Sequence, residues 1–244
     1  MSISKKEIKS IIVGFRFEKA FRISDVMGEM FDKILHDSSS PFSTEFFPRF
    51  EERGSLDKSL INTDFDHFFR ITTSDIIFKY SIPEDCDDIE KEFKWFKDDA
   101  CAFINDQIIK SYKIRNLMRA GIMFGHEIEA ENVGGIVLER MTRDTDEPIN
   151  DADQFALRFG KKDSTIEGMT KLGVDDFMNK ISIIQQSDSN HYEISYDFQY
   201  HFNPHCHNIS DWNYEPFVSK SMASLENYFY KTISPLIESP VEAK

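Results

Sequence analysis

The chain has 244 residues, of which 40% are hydrophobic and 14% aromatic, and 29 Lys and Arg stand against 43 Asp and Glu for a formal net charge of −14. That length can bury a large core, and the composition excludes a disordered chain. The negative balance argues against general binding to nucleic-acid phosphates, which requires a positive surface, and no apolar run approaches the roughly 20 residues that cross a bilayer.

The opening MSISKKEIKSIIVGFRF lacks the uninterrupted apolar stretch and small-residue cleavage site of a signal peptide, so a cytoplasmic location is expected. Within it, residues 11–17 alternate Ile11, Val13, Phe15 and Phe17 against smaller or polar residues, the pattern of a half-buried strand. Ser24 is then the expected N-cap of a helix carrying Val26, Met30, Phe31 and Ile34, with Met27 where a capping box would place Glu. The stretch SSSPFSTEFFPRFEERGS reads as an irregular loop. Its Phe42, Phe46, Phe47 and Phe50 either pin it to the body or form a binding lip, with Phe46 and Phe47 as candidate contact residues.

FDHFFRIT and DIIFKYSI read as the next two strands, joined at Thr73-Ser74, with His67 on an apolar face as a core histidine. Residues 85–111 form the clearest helix, because Ile89, Phe93, Phe96, Ala100, Ile104 and Ile108 recur at three- and four-residue steps. IRNLMRAGIMFGHEI is the longest alternating stretch. It turns Ala120, Ile122 and Phe124 to one side, and Arg115, Arg119 and Glu127 to the other together with Gly121 and Gly125, two glycines that mark a bend or a close backbone approach.

GGIVLERM (134–141) reads as a strand, TRDTDEPINDAD as an acidic surface loop without EF-hand spacing, and QFALRFG as a short strand. NKISIIQQ and HYEISYDFQYHF form a hairpin. Ile194, Tyr196, Phe198, Tyr200 and Phe202 supply its core face, with Ser195, Asp197, Gln199 and His201 opposite. The last helix is amphipathic through Val218, Met222, Leu225, Phe229, Ile233 and Leu236. About eight mostly antiparallel strands and three amphipathic helices make an α+β fold, a single domain over 1–238 that would divide, if at all, near 112–150, with 239–244 as a frayed tail. A strand pair followed by a long helix occurs at 65–111 and again at 178–237, the outline of a duplicated unit without a residue-level repeat.

HFNPHCH concentrates His201, His205, Cys206 and His207, all of them zinc-ligand types. Zinc or another divalent metal would need a second ligand pair from a separate element, and none is visible; the plainer reading is a strand end whose imidazoles meet solvent. Carboxylates such as Asp64, Asp66, Asp75 and Glu127 have the chemistry to hold magnesium, yet the acid, acid-x-lysine arrangement of nucleases is missing. There is no GxSxG, P-loop, GxGxxG or HExxH motif. Cys86, Cys101 and Cys206 form no CxxC pair and are expected as reduced thiols. Arg115 and Arg119 are the candidates to grip an anion or a partner's carboxylate.

Three segments together, IIVGFRFE, MRAGIMFGHEI, and YDFQYHF followed by SMASLENYFYKTIS, resemble a sporadically distributed bacterial family of about 250 residues with no assigned activity. That family carries arginine-glycine-aromatic in its central strand, where this chain has Arg119, Ala120-Gly121 and Phe124. The resemblance implies an accessory protein of mobile or defence islands and transfers no catalytic residue. The leading expectation is therefore a non-enzymatic protein that binds another protein, one with a basic surface or a second copy of itself, without membrane, nucleic acid or cofactor. The alternatives are a metal-dependent hydrolase or nuclease built on His201, His205 and His207, and a sensor of an anionic small ligand or nucleotide built on Arg115 and Arg119.

Overall fold

The computed structural model describes residues 3–129, 133–134, 137, 156–163, 172–187, 190–209, 212 and 214–237. Period-two alternation generates its strands: β1 (Ile8–Phe17), β2 (Arg49–Glu52), β3 (Asp57–Asn62), β4 (His67–Thr72), β5 (Asp75–Ser81), β6 (Leu117–Glu129), β7 (Ala156–Asp163), β8 (Phe177–Gln186) and β9 (His191–Cys206). They form one antiparallel sheet in the order β2-β3-β4-β5-β1-β6-β9-β8-β7.

The helical segments are α1 (Arg22–His36), α2 (Ile89–Trp95), α3 (Tyr214–Ser224) and α4 (Lys231–Ile237). α2 continues through π-helical turns at Phe96–Cys101 and Ile104–Lys110, and Leu225–Tyr230 is a π-helical stretch that joins α3 to α4, so three helices stand against the sheet.

Apart from the edge strand β2, the order reads the same outward from the central β1–β6 pair: β5, β4 and β3 on one side, β9, β8 and β7 on the other. α1 follows β1, helical residues Val133, Gly134 and Val137 follow β6, and a long helix follows both β5 and β9. The repeated unit is thus larger than a strand pair and a helix, and its two copies meet across the middle of the sheet.

The helices cover one face. Phe93 of α2 meets Phe124 of β6 with ring centroids 5.9 Å apart, Phe96 stacks over Phe78 of β5 at 6.0 Å, Phe217 of α3 lies 5.7 Å from Phe198 of β9, and Phe229 stacks on Tyr196 at 4.9 Å. Inward residues of all the central strands and the buried Ile23, Met27, Met30, Phe31 and Ile34 of α1 join one contiguous apolar cluster. Each fully buried aliphatic or aromatic side chain contributes about 1.5–3 kcal/mol. Truncating a central one such as Phe124 to Ala, with its residual cavity, costs about 3–5 kcal/mol.

Several expectations are corrected. α1 begins at Arg22 with Phe21 as its N-cap, and Ser24 instead returns its hydroxyl to the Phe21 carbonyl at 2.6 Å. The loop before residue 55 contains the exposed edge strand β2, and β3, whose Asp57–Asn62 was not read as a strand, pairs with both β2 and β4. Its burial is carried by Ser59, Leu60 and Asn62, so the alternation is masked by polar residues. β9 does not stop at Asn203-Pro204 but runs through that cis peptide bond to Cys206. In 134–141, expected as a strand, the described Gly134 and Val137 are helical. The acidic stretch 142–153, the segment 164–171 and the tail lie outside the described residues.

Candidate functional site

One face of the sheet carries no described helix over its centre, and antiparallel register orders its side chains into rows that run across the strands. The first row is Asp75, Arg16, Arg119, His201 and Phe177, each directly opposite the next on β5, β1, β6, β9 and β8. Two residues along the strands, about 7 Å away, lies Ile77, Gly14, Gly121, Gln199, Asn179 and Lys162. Two residues further lies Lys79, Ile12, Met123, Asp197 and Ile181.

At the centre, Gly14 faces Gly121 across the seam between the two copies. Neither backbone needs a positive φ, and a Cβ on either would meet only atoms 3.5 Å or more away. What the two glycines provide is depth. Without side chains at these two positions, the sheet sinks into a cleft of about 160 Å³ with Arg16 and Arg119 on one bank and Ile12, Ile77 and Met123 around the other.

The two arginines differ in their company. Arg16 Nε donates to Asp75 Oδ1 at 2.8 Å. Arg119, half-buried, has no carboxylate within ion-pair distance among the described residues, although it sits directly across from Arg16. Like charges placed directly opposite on neighbouring strands repel, so this position is one that folding alone does not favour.

Asp197 lines the same cleft and accepts a hydrogen bond from Gln199 Nε2. Desolvation raises its pKa, against the opposing pull of the Gln199 amide, Arg119 and Arg158. His201, beside Arg119, stacks on Phe177 at 4.5 Å with the rings 5° from parallel, and Lys162 lies 3.9 Å over the same Phe177 ring. Desolvation first, then Arg119 and Lys162, depress the His201 pKa to about 4. The neutral ring thus donates from Nε2 to Gln199 Oε1 at 2.9 Å, since a carbonyl oxygen can only accept.

The metal cluster of the alternative reading is not assembled among the described residues. His201 belongs to the open face, whereas His205 Nδ1 pairs with Glu18 Oε1 at 2.7 Å and His207 Nδ1 meets Asn116 Oδ1 at 2.5 Å. Asn116 donates to the other Glu18 oxygen at 2.8 Å, and Cys206 is buried opposite Leu117. Alternation alone would keep His201, His205 and His207 on one face; the register shift between β6 and β9, where Arg119 pairs with His201 but Leu117 pairs with Cys206, breaks that row before His205. Among the described residues, no three His, Cys, Asp or Glu side chains are grouped to hold a metal ion. Asp64, Asp66 and Glu127 line a separate hollow of about 560 Å³ beside Lys79, while Asp75 stays with Arg16.

Of the other candidates, Arg115 is exposed and precedes β6. Phe47 is buried, and half-buried Phe46 stacks on His67 at 4.8 Å and on Trp95 at 5.8 Å. The aromatic loop is therefore packed into the body through these rings, and His67 is a core histidine whose Nδ1 accepts the Ser81 N–H at 3.1 Å. The sequence reading placed Arg119, Gly121, Asp197 and His201 on polar faces but missed that Gly14 lies opposite Gly121. Its signal, Gly14 alone in β1 and two glycines in β6, has meaning only once the register shows which of Gly121 and Gly125 stands opposite Gly14.

No described helix is long and apolar enough to cross a membrane. No protein-family model matches this chain, and no curated protein matches it either.

Proposed function

We propose that this chain is a non-catalytic accessory or regulatory protein that docks another protein on the open face of its sheet. The observation that carries this reading is Arg119, a charged side chain with no carboxylate within ion-pair distance among the described residues, standing at the rim of a glycine-floored cleft on a face without described helices at its centre. The expectation of a partner with a basic surface follows from the net charge of −14, which steers encounter over the whole surface. An accessory role is also what the sequence resemblance implies.

Arg119 supports a second reading as well, the sensor of an anionic small ligand. Size favours the protein partner. Pockets for small molecules commonly enclose roughly 300–1,000 Å³, whereas this cleft measures about 160 Å³, enough for one inserted side chain.

The test is native mass spectrometry of untagged protein purified from its own host. Wild type is expected to carry a second polypeptide, and Gly14→Val, whose Cβ meets no backbone atom closer than 3.9 Å and whose methyl groups fill the cleft floor, is expected to lose it. Equal capture by both would place the docking surface elsewhere and sink the reading.

A further inference from the structure

Resting on that reading, we infer that the central cleft is a carboxylate pocket. It receives one aspartate or glutamate side chain of the partner, bound by Arg119, with aliphatic carbons of the same segment against Ile12, Ile77 and Met123.

The charge arrangement selects the guest. Arg16 is already neutralised by Asp75 at 2.8 Å, which leaves Arg119 as the cleft's one cation with no carboxylate in ion-pair range among the described residues. A single guanidinium matches a single carboxylate, whose two oxygens accept its fork of parallel N–H donors. A phosphate dianion would bring a second charge close to Asp75 and Asp197, both of which line the same cleft. A guest carboxylate at Arg119 also relieves the repulsion between Arg119 and Arg16, which face each other across the seam.

Shape and polarity agree. The glycine row separates the arginine row from Ile12 and Met123 by two residues on each side, so the guest's charged tip and its methylenes meet different banks. Asp197, whose Oδ1 would lie 3.5 Å from a Cβ on Gly121, reaches over the floor, where it can accept an N–H from the guest's backbone. The pocket therefore reads an acidic residue within an extended or turn segment, even though the chain as a whole is strongly acidic. Local geometry, rather than net charge, sets the chemistry at the point of contact.

The experiment is a titration of the whole protein, with arginine side chains ¹⁵N-labelled, by acetyl-Leu-Glu-amide, acetyl-Leu-Gln-amide and inorganic phosphate in parallel. Arg119→Met identifies the Arg119 Nε–H signal and Gly14→Val blocks the cleft. The glutamate peptide is expected to shift that signal at concentrations at least tenfold below those of the glutamine peptide, and the shift should vanish in Gly14→Val. Equal shifts from both peptides, or none from either, would overturn the carboxylate pocket. Tighter binding of phosphate than of the glutamate peptide would overturn it in favour of a phosphate site. These outcomes are separate from the docking reading: if Gly14→Val abolishes partner capture while the peptides do not discriminate, the face binds a partner by other chemistry and only the carboxylate assignment fails.

Discussion

Arg16 and Arg119 face each other across the middle of the sheet, and among the described residues only Arg16 has a carboxylate within ion-pair distance, that of Asp75, at 2.8 Å. An arrangement of this kind costs the fold about 0.2–1 kcal/mol relative to a neutral pair. Arg119→Met is therefore expected to stabilise the protein by about 0.5 kcal/mol, raising Tm by roughly 1–2 °C. Arg16→Met, which strands Asp75, should not. Thermal unfolding of both variants at low and high salt checks this, since screening should shrink the gain from Arg119→Met. A loss of stability in Arg119→Met would mean that the attraction between Arg119 and Asp197 across the cleft outweighs the repulsion from Arg16.

Acid should weaken the fold through its buried histidines. Burial depresses the pKa values of His67, His126 and His201 to about 4, and Lys79 adds to the effect at His67 while Arg119 and Lys162 add to it at His201. A folded pKa below the unfolded value of about 6.5 means that the unfolded chain binds more protons between the two. Stability is then fully present above pH 6.5 and lost as pH falls toward 4. His126 is the deepest, with ring nitrogens 3.2 Å from the Ile194 carbonyl oxygen and 3.1 Å from the Tyr230 hydroxyl. Its share is on the order of 3 kcal/mol. Urea unfolding from pH 7.5 to 4.5 should show this slope, and His126→Leu should flatten it while losing about 1–3 kcal/mol at pH 7 from the stranded Tyr230 hydroxyl. An unchanged slope in His126→Leu would assign the acid sensitivity to other groups.

Asp176 ties the approach to β8 to the far end of β9. Its carboxylate accepts from Leu172 N at 3.0 Å, Gly173 N at 2.9 Å, Asn203 N at 2.6 Å and the Tyr200 hydroxyl at 2.7 Å. Asp176→Ala leaves four donors unanswered in a buried site and should cost about 3 kcal/mol or more. Gly173→Ala should be comparably harmful, because a Cβ there would collide with the Asn203 carbonyl oxygen. Chemical denaturation of each variant reads the loss directly; a change below about 1 kcal/mol in both would contradict the network.

Phe46 and Phe47 distinguish a structural loop from a binding lip. Phe47 is buried, and Phe46 stacks on His67 and Trp95. Phe47→Ala should lose about 3–5 kcal/mol and Phe46→Ala somewhat less. Partner capture by the folded fraction of Phe46→Ala should match wild type. Selective loss of capture at unchanged Tm would instead restore the lip.

The fates of His201 and Phe46 show what one chain's pattern can and cannot reveal. Alternation placed His201 on the polar face of β9, where it stands, because face assignment needs only the two-residue pleat. It could not show that β9 carries on past Asn203-Pro204 and sends His205 and His207 to Glu18 and Asn116, since both partners come from distant segments. The aromatic loop left two readings open, and the rings of His67, Tyr80 and Trp95 packed around Phe46 come from segments that its own sequence does not name.

The amino-acid sequence by itself determined the α+β class, the inward faces of β1, β5, β6 and β9, and the two long helices that cover them, because hydrophobic periodicity is local and each element's buried stripe is written in consecutive residues. The tertiary structure alone decided the symmetric strand order and the register that sets Gly14 against Gly121 and Arg16 against Arg119. Both depend on pairing between segments about a hundred residues apart. A cleft made of absent side chains leaves no trace in either strand until the two lie side by side.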